Sequence, residues 1–232
     1  MPPSAPVPFP HPLLLGHRGA PRVLPENTLA SFRRALADGA DGVELDVQRA
    51  ADGVPVVIHD ATLERTTDGR GPVASHTSAA LARLDAGAGE GVPTLAAVAA
   101  WAAEAGAWLN VELKADGVEA AALEVLGRAG VLERTFLSSF SPTAVAEVGR
   151  LAPAVRRFLL TERWNARARA AVTECGAHGV CLETHAATEA ALAELAALGL
   201  PLVVWTEDHP ARIRALFAAG VAGVITNDPA AR

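Results

Sequence analysis

The sequence predicts an α/β fold closed into a barrel, on three observations. Short apolar runs alternate with Ala-rich helical patterns along the chain, giving eight or nine strands, which suits a closed barrel better than an open sheet. The length of 232 residues is long for an ordinary domain and normal for one barrel. The polar residues His17, His59, Glu112, Lys114 and Trp205 fall near strand C-terminal ends, where such barrels carry their chemistry.

The first run, Leu13-Leu14-Leu15-Gly16, delivers His17-Arg18 at its end, and a helix follows, opened by Asn27 or Thr28 and closed near Gly39. Glu26 and Asn27 are expected to cap that helix and do no more. The strand Val43-Glu44-Leu45-Asp46-Val47 sets two carboxylates on one face, with Cα atoms about 6.5–7 Å apart. Acids on an otherwise apolar strand call for something positive between them.

The link to Val56-Val57-Ile58-His59-Asp60 is too short for a parallel crossover and contains Asp52-Gly53, a hairpin turn. Counting outward from that pair sets Asp46 opposite His59, so about 4.5–5.5 Å would separate them. Residues 61–93 read as a polar, Gly-rich excursion with little periodicity, a lid or small insertion in a single domain spanning 1–232.

A helix from Thr94 to Gly106 leads to the strand Trp108–Lys114. The window Val92–Val111 has membrane length and one charge, Glu104, yet these helix signals divide it into core elements. Later strands are expected at Thr135–Ser139, Val155–Leu160, Gly179–Glu183, Pro201–Thr206 and Gly223–Thr226.

Net charge −6 argues against nucleic acid as a partner, and the pairs Arg33-Arg34 and Arg156-Arg157 read as solvated faces. Cys175 and Cys181 have no metal or redox spacing and read as buried thiols. Met1–Pro8 carries neither the basic nor the apolar region of a secretory signal, so a cytoplasmic protein without a membrane anchor is expected.

Glu44, Asp46 and Glu112 offer hard oxygen ligands without cysteine nearby, a set suited to one divalent cation, Mg²⁺, Ca²⁺ or Mn²⁺. The competing reading is a structural network with Arg18 or Lys114. Lys114 is the sole lysine and shares a strand face with Asn110 and Glu112, which suits a compact charge for phosphate better than an incidental surface pair. His17 and His59 have the chemistry of an acid/base pair, with either in either role. Arg18 suits a phosphate oxygen, and Trp205 the wall of a substrate pocket or the core. His11, His76, His178, His185 and His209 lack such company.

With these residues in order the chain resembles the glycerophosphodiester phosphodiesterase family. The matching stretches are His17-Arg18-Gly19, Pro25-Glu26-Asn27-Thr28, Glu44-Leu45-Asp46-Val47 and His59 through Thr67. Pro93-Thr94-Leu95, Glu112-Leu113-Lys114 and Trp205-Thr206 complete the set, over about residues 13–229. The resemblance implies a (β/α)8 TIM barrel with a small insertion after the third strand, hydrolysing glycerophosphodiesters to sn-glycerol 3-phosphate and an alcohol. It implies that Glu44, Asp46 and Glu112 hold the cation, His17 and His59 are the acid/base pair, and Arg18 and Lys114 meet the phosphate. Glu207-Asp208 departs from the family pattern after Trp-Thr and leaves substrate contacts at that rim open. The rivals are a phospholipase D-like or cyclising phosphodiesterase acting on lysophospholipids and a non-catalytic phosphate-binding barrel.

Overall fold

The computed structural model describes residues 9–231; the Met1–Pro8 segment read above lies outside them. The elements in order are β1 (Leu13–His17), α1 (Leu29–Ala37), β2 (Gly42–Arg49), β3 (Pro55–Val57), α2 (Ser78–Leu81) and α3 (Leu95–Ala105). They continue as β4 (Trp108–Leu113), α4 (Glu119–Arg128), β5 (Thr135–Ser139), α5 (Pro142–Leu151), β6 (Arg156–Thr161) and α6 (Ala166–Cys175). The last are β7 (Gly179–Glu183), α7 (Glu189–Ala197), β8 (Leu202–Trp205), α8 (Pro210–Ala218) and β9 (Gly223–Thr226).

Eight strands pair in parallel in the order β1-β2-β4-β5-β6-β7-β8-β9, and β9 returns to β1. This closed ring with helices between strands is the expected (β/α)8 TIM barrel. Helix starts follow local chemistry: Thr28, Thr94, Ser141, Asn165 and Thr188 each accept a backbone N–H from the first turn. Gly106 ends α3 at φ 68°, a left-handed conformation that glycine adopts without a Cβ clash.

Period-two alternation then sorts the strand residues. Leu13, Leu15, Phe136, Phe158, Leu160, Cys181, Val203 and Ile225 form one buried cluster. Val43, Leu45, Val47, Leu109, Val111 and Leu113, of opposite parity to the acids on β2 and β4, pack against α3 and α4 residues such as Val98 and Leu126. Cys175 and Cys181 are buried and free, as expected. The window 92–111 divides into α3 and β4, and no helix among the described residues is long and apolar enough to cross a membrane.

Three expectations about the fold need correction. The hairpin pairs Val47 with Val57, and the Ile58 N–H donates to the Asp46 carbonyl at 3.0 Å, so Asp46 faces Ile58 rather than His59. Gly53 donates to Ala50 O at 2.9 Å and lies at φ 80°, adding a left-handed residue after the turn and moving the register by one.

Arg156 and Arg157 are not solvated: they are 7% and 8% exposed. Arg156 stacks 5.4 Å from the centre of Phe9 and 5.2 Å from that of Trp108, and donates to Glu133 O at 2.7 Å. Segment 61–93 is also more ordered than its pattern suggests. It holds α2 and a 3-10 turn at Val73–Ser75, and buries Leu63, Val73, Leu81 and Val92 against Val56 and Ile58. Elements this short leave no periodicity to read.

Candidate active site

Parallel register assembles the site. His17 pairs with Glu44, Glu44 with Asn110, and Asp46 with Glu112 across β1, β2 and β4. Glu44, Asp46 and Glu112 are 3%, 1% and 8% exposed, and one carboxylate oxygen from each lies within 4.8 Å of the others. Burial, then Asp46 and Glu112, pushes the Glu44 carboxyl well above its usual range. Burial and the Asp46 charge push Glu112 up to about 7.

Two cations partly offset the acids. Lys114 Nζ stands 2.6 Å from Glu112 Oε1 and 3.3 Å from Asp46 Oδ1, and Arg18 Nε is 3.1 Å from Asp46 Oδ2. Asp46 Oδ1 and Glu112 Oε1 are buried, with the Lys114 ammonium the cation that faces both. Three converging buried carboxylates, their like charge only partly offset, fit a hard divalent cation, whose oxygen ligands lie at about 2.0–2.6 Å.

Arg18 lies at φ 52°, which turns its backbone N–H onto Glu44 Oε2 at 3.0 Å. Gly19 makes the turn possible, since a Cβ there would meet Ser31 Oγ at 2.4 Å. Asn27, at φ 59°, donates from Nδ2 to Asp46 Oδ2 at 2.9 Å. Glu26 accepts from Arg18 Nη1 at 2.9 Å. Both residues therefore serve the site, while Thr28 caps α1, contrary to the capping expectation.

His17 and His59 meet different partners. His17 Nδ1 lies 2.7 Å from Asn227 Oδ1, and its Nε2 lies 3.9 Å from Glu44 Oε2. Asn227 in turn donates to Asp208 from its backbone at 2.7 Å and from Nδ2 at 3.0 Å. Burial, with Arg18 alongside, pushes the His17 imidazole below its usual value. His59 Nδ1 lies 2.6 Å from Asp60 Oδ1, and Gln48 Nε2 donates to the His59 carbonyl at 3.0 Å.

His17, Arg18, Glu44, Glu112, Lys114 and Trp205 line one cavity of about 60 Å³. His59 stands in the neighbouring crevice beside Glu26 and Asn27. Trp205 packs edge-on against Phe140 at 5.6 Å, and its buried Nε1–H has no partner. Residues 17–231 match the glycerophosphoryl diester phosphodiesterase family. The chain belongs to this family.

Relatives agree over nearly the full length. A glycerophosphodiester phosphodiesterase of Caldanaerobacter subterraneus is 34% identical, across 94% of this chain and 94% of the relative. The crystal structure of glycerophosphodiester phosphodiesterase from Agrobacterium tumefaciens has a TM-score of 0.84 at 31% identity, covering 95% and 98% of the two chains. An Oleispira antarctica phosphodiesterase, solved in complex with the product sn-glycerol-3-phosphate, has a TM-score of 0.86 at 28% identity, covering 95% and 94%.

Asn110, Asn227 and Asp208 escaped the sequence reading as site residues. Asn110 lies on the strand face that its spacing from Glu112 predicts and donates to Ser138 Oγ at 2.7 Å. Asn227 is distant in sequence from His17, and only barrel closure between β9 and β1 makes them neighbours.

Proposed function

We propose that this glycerophosphodiester phosphodiesterase family member hydrolyses glycerophosphodiesters to sn-glycerol 3-phosphate and an alcohol. The convergence of Glu44, Asp46 and Glu112 beside His17 at the barrel mouth carries the reading. The product held by the Oleispira relative supports the substrate class. Glu44, Asp46 and Glu112 would hold one divalent cation, Mg²⁺, Ca²⁺ or Mn²⁺, which when bound supplies Lewis-acid neutralisation of phosphoryl charge.

The remaining chemistry belongs to the chain. Arg18 and Lys114 add fixed positive charge at the cavity where the phosphate sits. Trp205 and Phe140 wall it. His17 is the base: Asn227 Oδ1 accepts its Nδ1–H and its depressed pKa keeps Nε2 free of a proton. His59 is the acid: the Asp60 carboxylate at Nδ1 fixes the ring so that Nε2 carries the proton to be delivered. His17 Nε2 takes the proton of the attacking oxygen as its bond to phosphorus forms. The bond to the leaving alcohol breaks, its electron pair stays on that oxygen, and His59 Nε2 supplies the proton.

The test is a product assay on a glycerophosphodiester with added divalent cation and with chelator. Glycerol 3-phosphate that disappears with chelator is expected. Cyclic phosphate as the end product, or turnover indifferent to chelator, would contradict the reading.

A further inference from the structure

Arg65 lies in the segment after β3, and the mechanism above gives it no part. Its guanidinium donates to both oxygens of Asp60, from Nε at 2.6 Å and Nη2 at 2.9 Å. It also donates to both oxygens of Glu26, from Nη1 at 2.9 Å and Nη2 at 2.8 Å. Each acid faces the site: Asp60 Oδ1 lies at His59 Nδ1, and Glu26 Oε1 accepts from Arg18 Nη1. One side chain thus connects the histidine on the β3 side to the arginine beside the carboxylate cluster. An isolated surface ion pair contributes little, but this fork grips two carboxylates in two-point contacts from separate loops. Those contacts hold the Asp60 carboxyl well below its usual range, with Arg65 the main cause and His59 adding to it.

We propose that Arg65 is a positioning residue for leaving-group protonation. By pinning Asp60 against Nδ1 it sets the orientation of the His59 ring, and by pinning Glu26 it holds that acceptor in register with Arg18. The proposal rests on His59 being the acid. A lysine lacks the planar fork and reaches one carboxylate at a time, so Arg65→Lys should fail much as Arg65→Gln does.

Leaving-group chemistry separates this role from a scaffold role. An alkyl alcohol departs as a strong base and needs its proton, whereas a nitrophenolate departs readily without one. The experiment measures kcat and KM for the cation-loaded enzyme on a glycerophosphodiester of ethanolamine and on a nitrophenyl phosphodiester. The variants are Arg65→Gln, Arg65→Lys, Asp60→Asn and His59→Ala, with thermal unfolding as a check on folding. Arg65→Gln should lower kcat on the alkyl ester about tenfold more than on the nitrophenyl ester, with KM little changed. Asp60→Asn should match it, Arg65→Lys should not restore the rate, and His59→Ala should show the same selectivity more strongly. Equal losses on both substrates for Arg65→Gln, or full activity in Arg65→Lys, with His59→Ala still selective, would overturn the proposal alone. A non-selective His59→Ala would remove the reading of His59 as acid and the proposal with it.

Discussion

The barrel interior has two unlike sectors. On β1 and β5 to β9 the cluster is Leu13, Leu15, Phe136, Phe158, Leu160, Cys181, Val203 and Ile225. On β2 and β4 the corresponding residues are Glu44, Asp46, Asn110 and Glu112, all buried. Their neighbours of opposite parity, such as Leu45 and Val111, are as apolar as Val180 or Val204 elsewhere in the ring. Closing the ring therefore does not require acids on two adjacent strands. One sector supplies burial, and the other gathers like charge at a cost in stability, which a bound cation would relieve.

Removing a charge from the acidic sector gives the largest expected effect. Glu112→Ala should lower cation-dependent turnover by at least about 100-fold, by analogy with the loss of groups that act as one unit, and should abolish saturable cation binding by calorimetry. The metal-free variant should unfold at no lower denaturant than the parent, because repulsion is relieved. The apolar sector should behave in the opposite way. Phe158→Ala should cost about 3–5 kcal/mol in denaturant unfolding while leaving cation affinity intact in the folded fraction.

The acidic sector also sets an unusual pH response. With Glu112 raised from 4.5 to about 7, the folded metal-free protein keeps a proton that the unfolded chain releases. Its stability should be full below about 4.5 and should fall as pH rises toward about 7, with Glu44 acting in the same direction. Unfolding in chelator at pH 5.5 and 8 measures this, and a saturating divalent cation should reverse the trend. Smaller still is the effect at the seam where β9 meets β1. Asn227→Ala frees His17 Nδ1 and should cost about tenfold in kcat, with the limb of the pH–rate profile assigned to the base displaced.

The same division explains what was legible in the sequence. The bounds of β5, β7 and β9 follow from the sequence: a glycine opens the short apolar runs of β7 and β9, and the Ser141 helix cap closes β5. The i, i+2 spacing on β2 and β4 also put Glu44 with Asp46, and Asn110 with Glu112, on shared faces. What failed depended on contacts without a local signature. A single left-handed Gly53 moved the hairpin register, and Asn27 reaches Asp46 only because its own backbone turns to φ 59°. The Arg156-Arg157 pair reads as surface charge because the partners that bury it leave no local signature: aromatic rings distant in sequence for Arg156, and the Pro153 carbonyl for Arg157.

Glu44, Asp46 and Glu112 are expected to share one divalent cation at the barrel mouth. Crystals soaked in Mn²⁺ and measured for anomalous scattering test it directly. A single strong peak within about 2.0–2.6 Å of an oxygen from each of the three side chains is expected, and absent in crystals of Asp46→Asn. A peak elsewhere, or none at saturating Mn²⁺, would contradict the account.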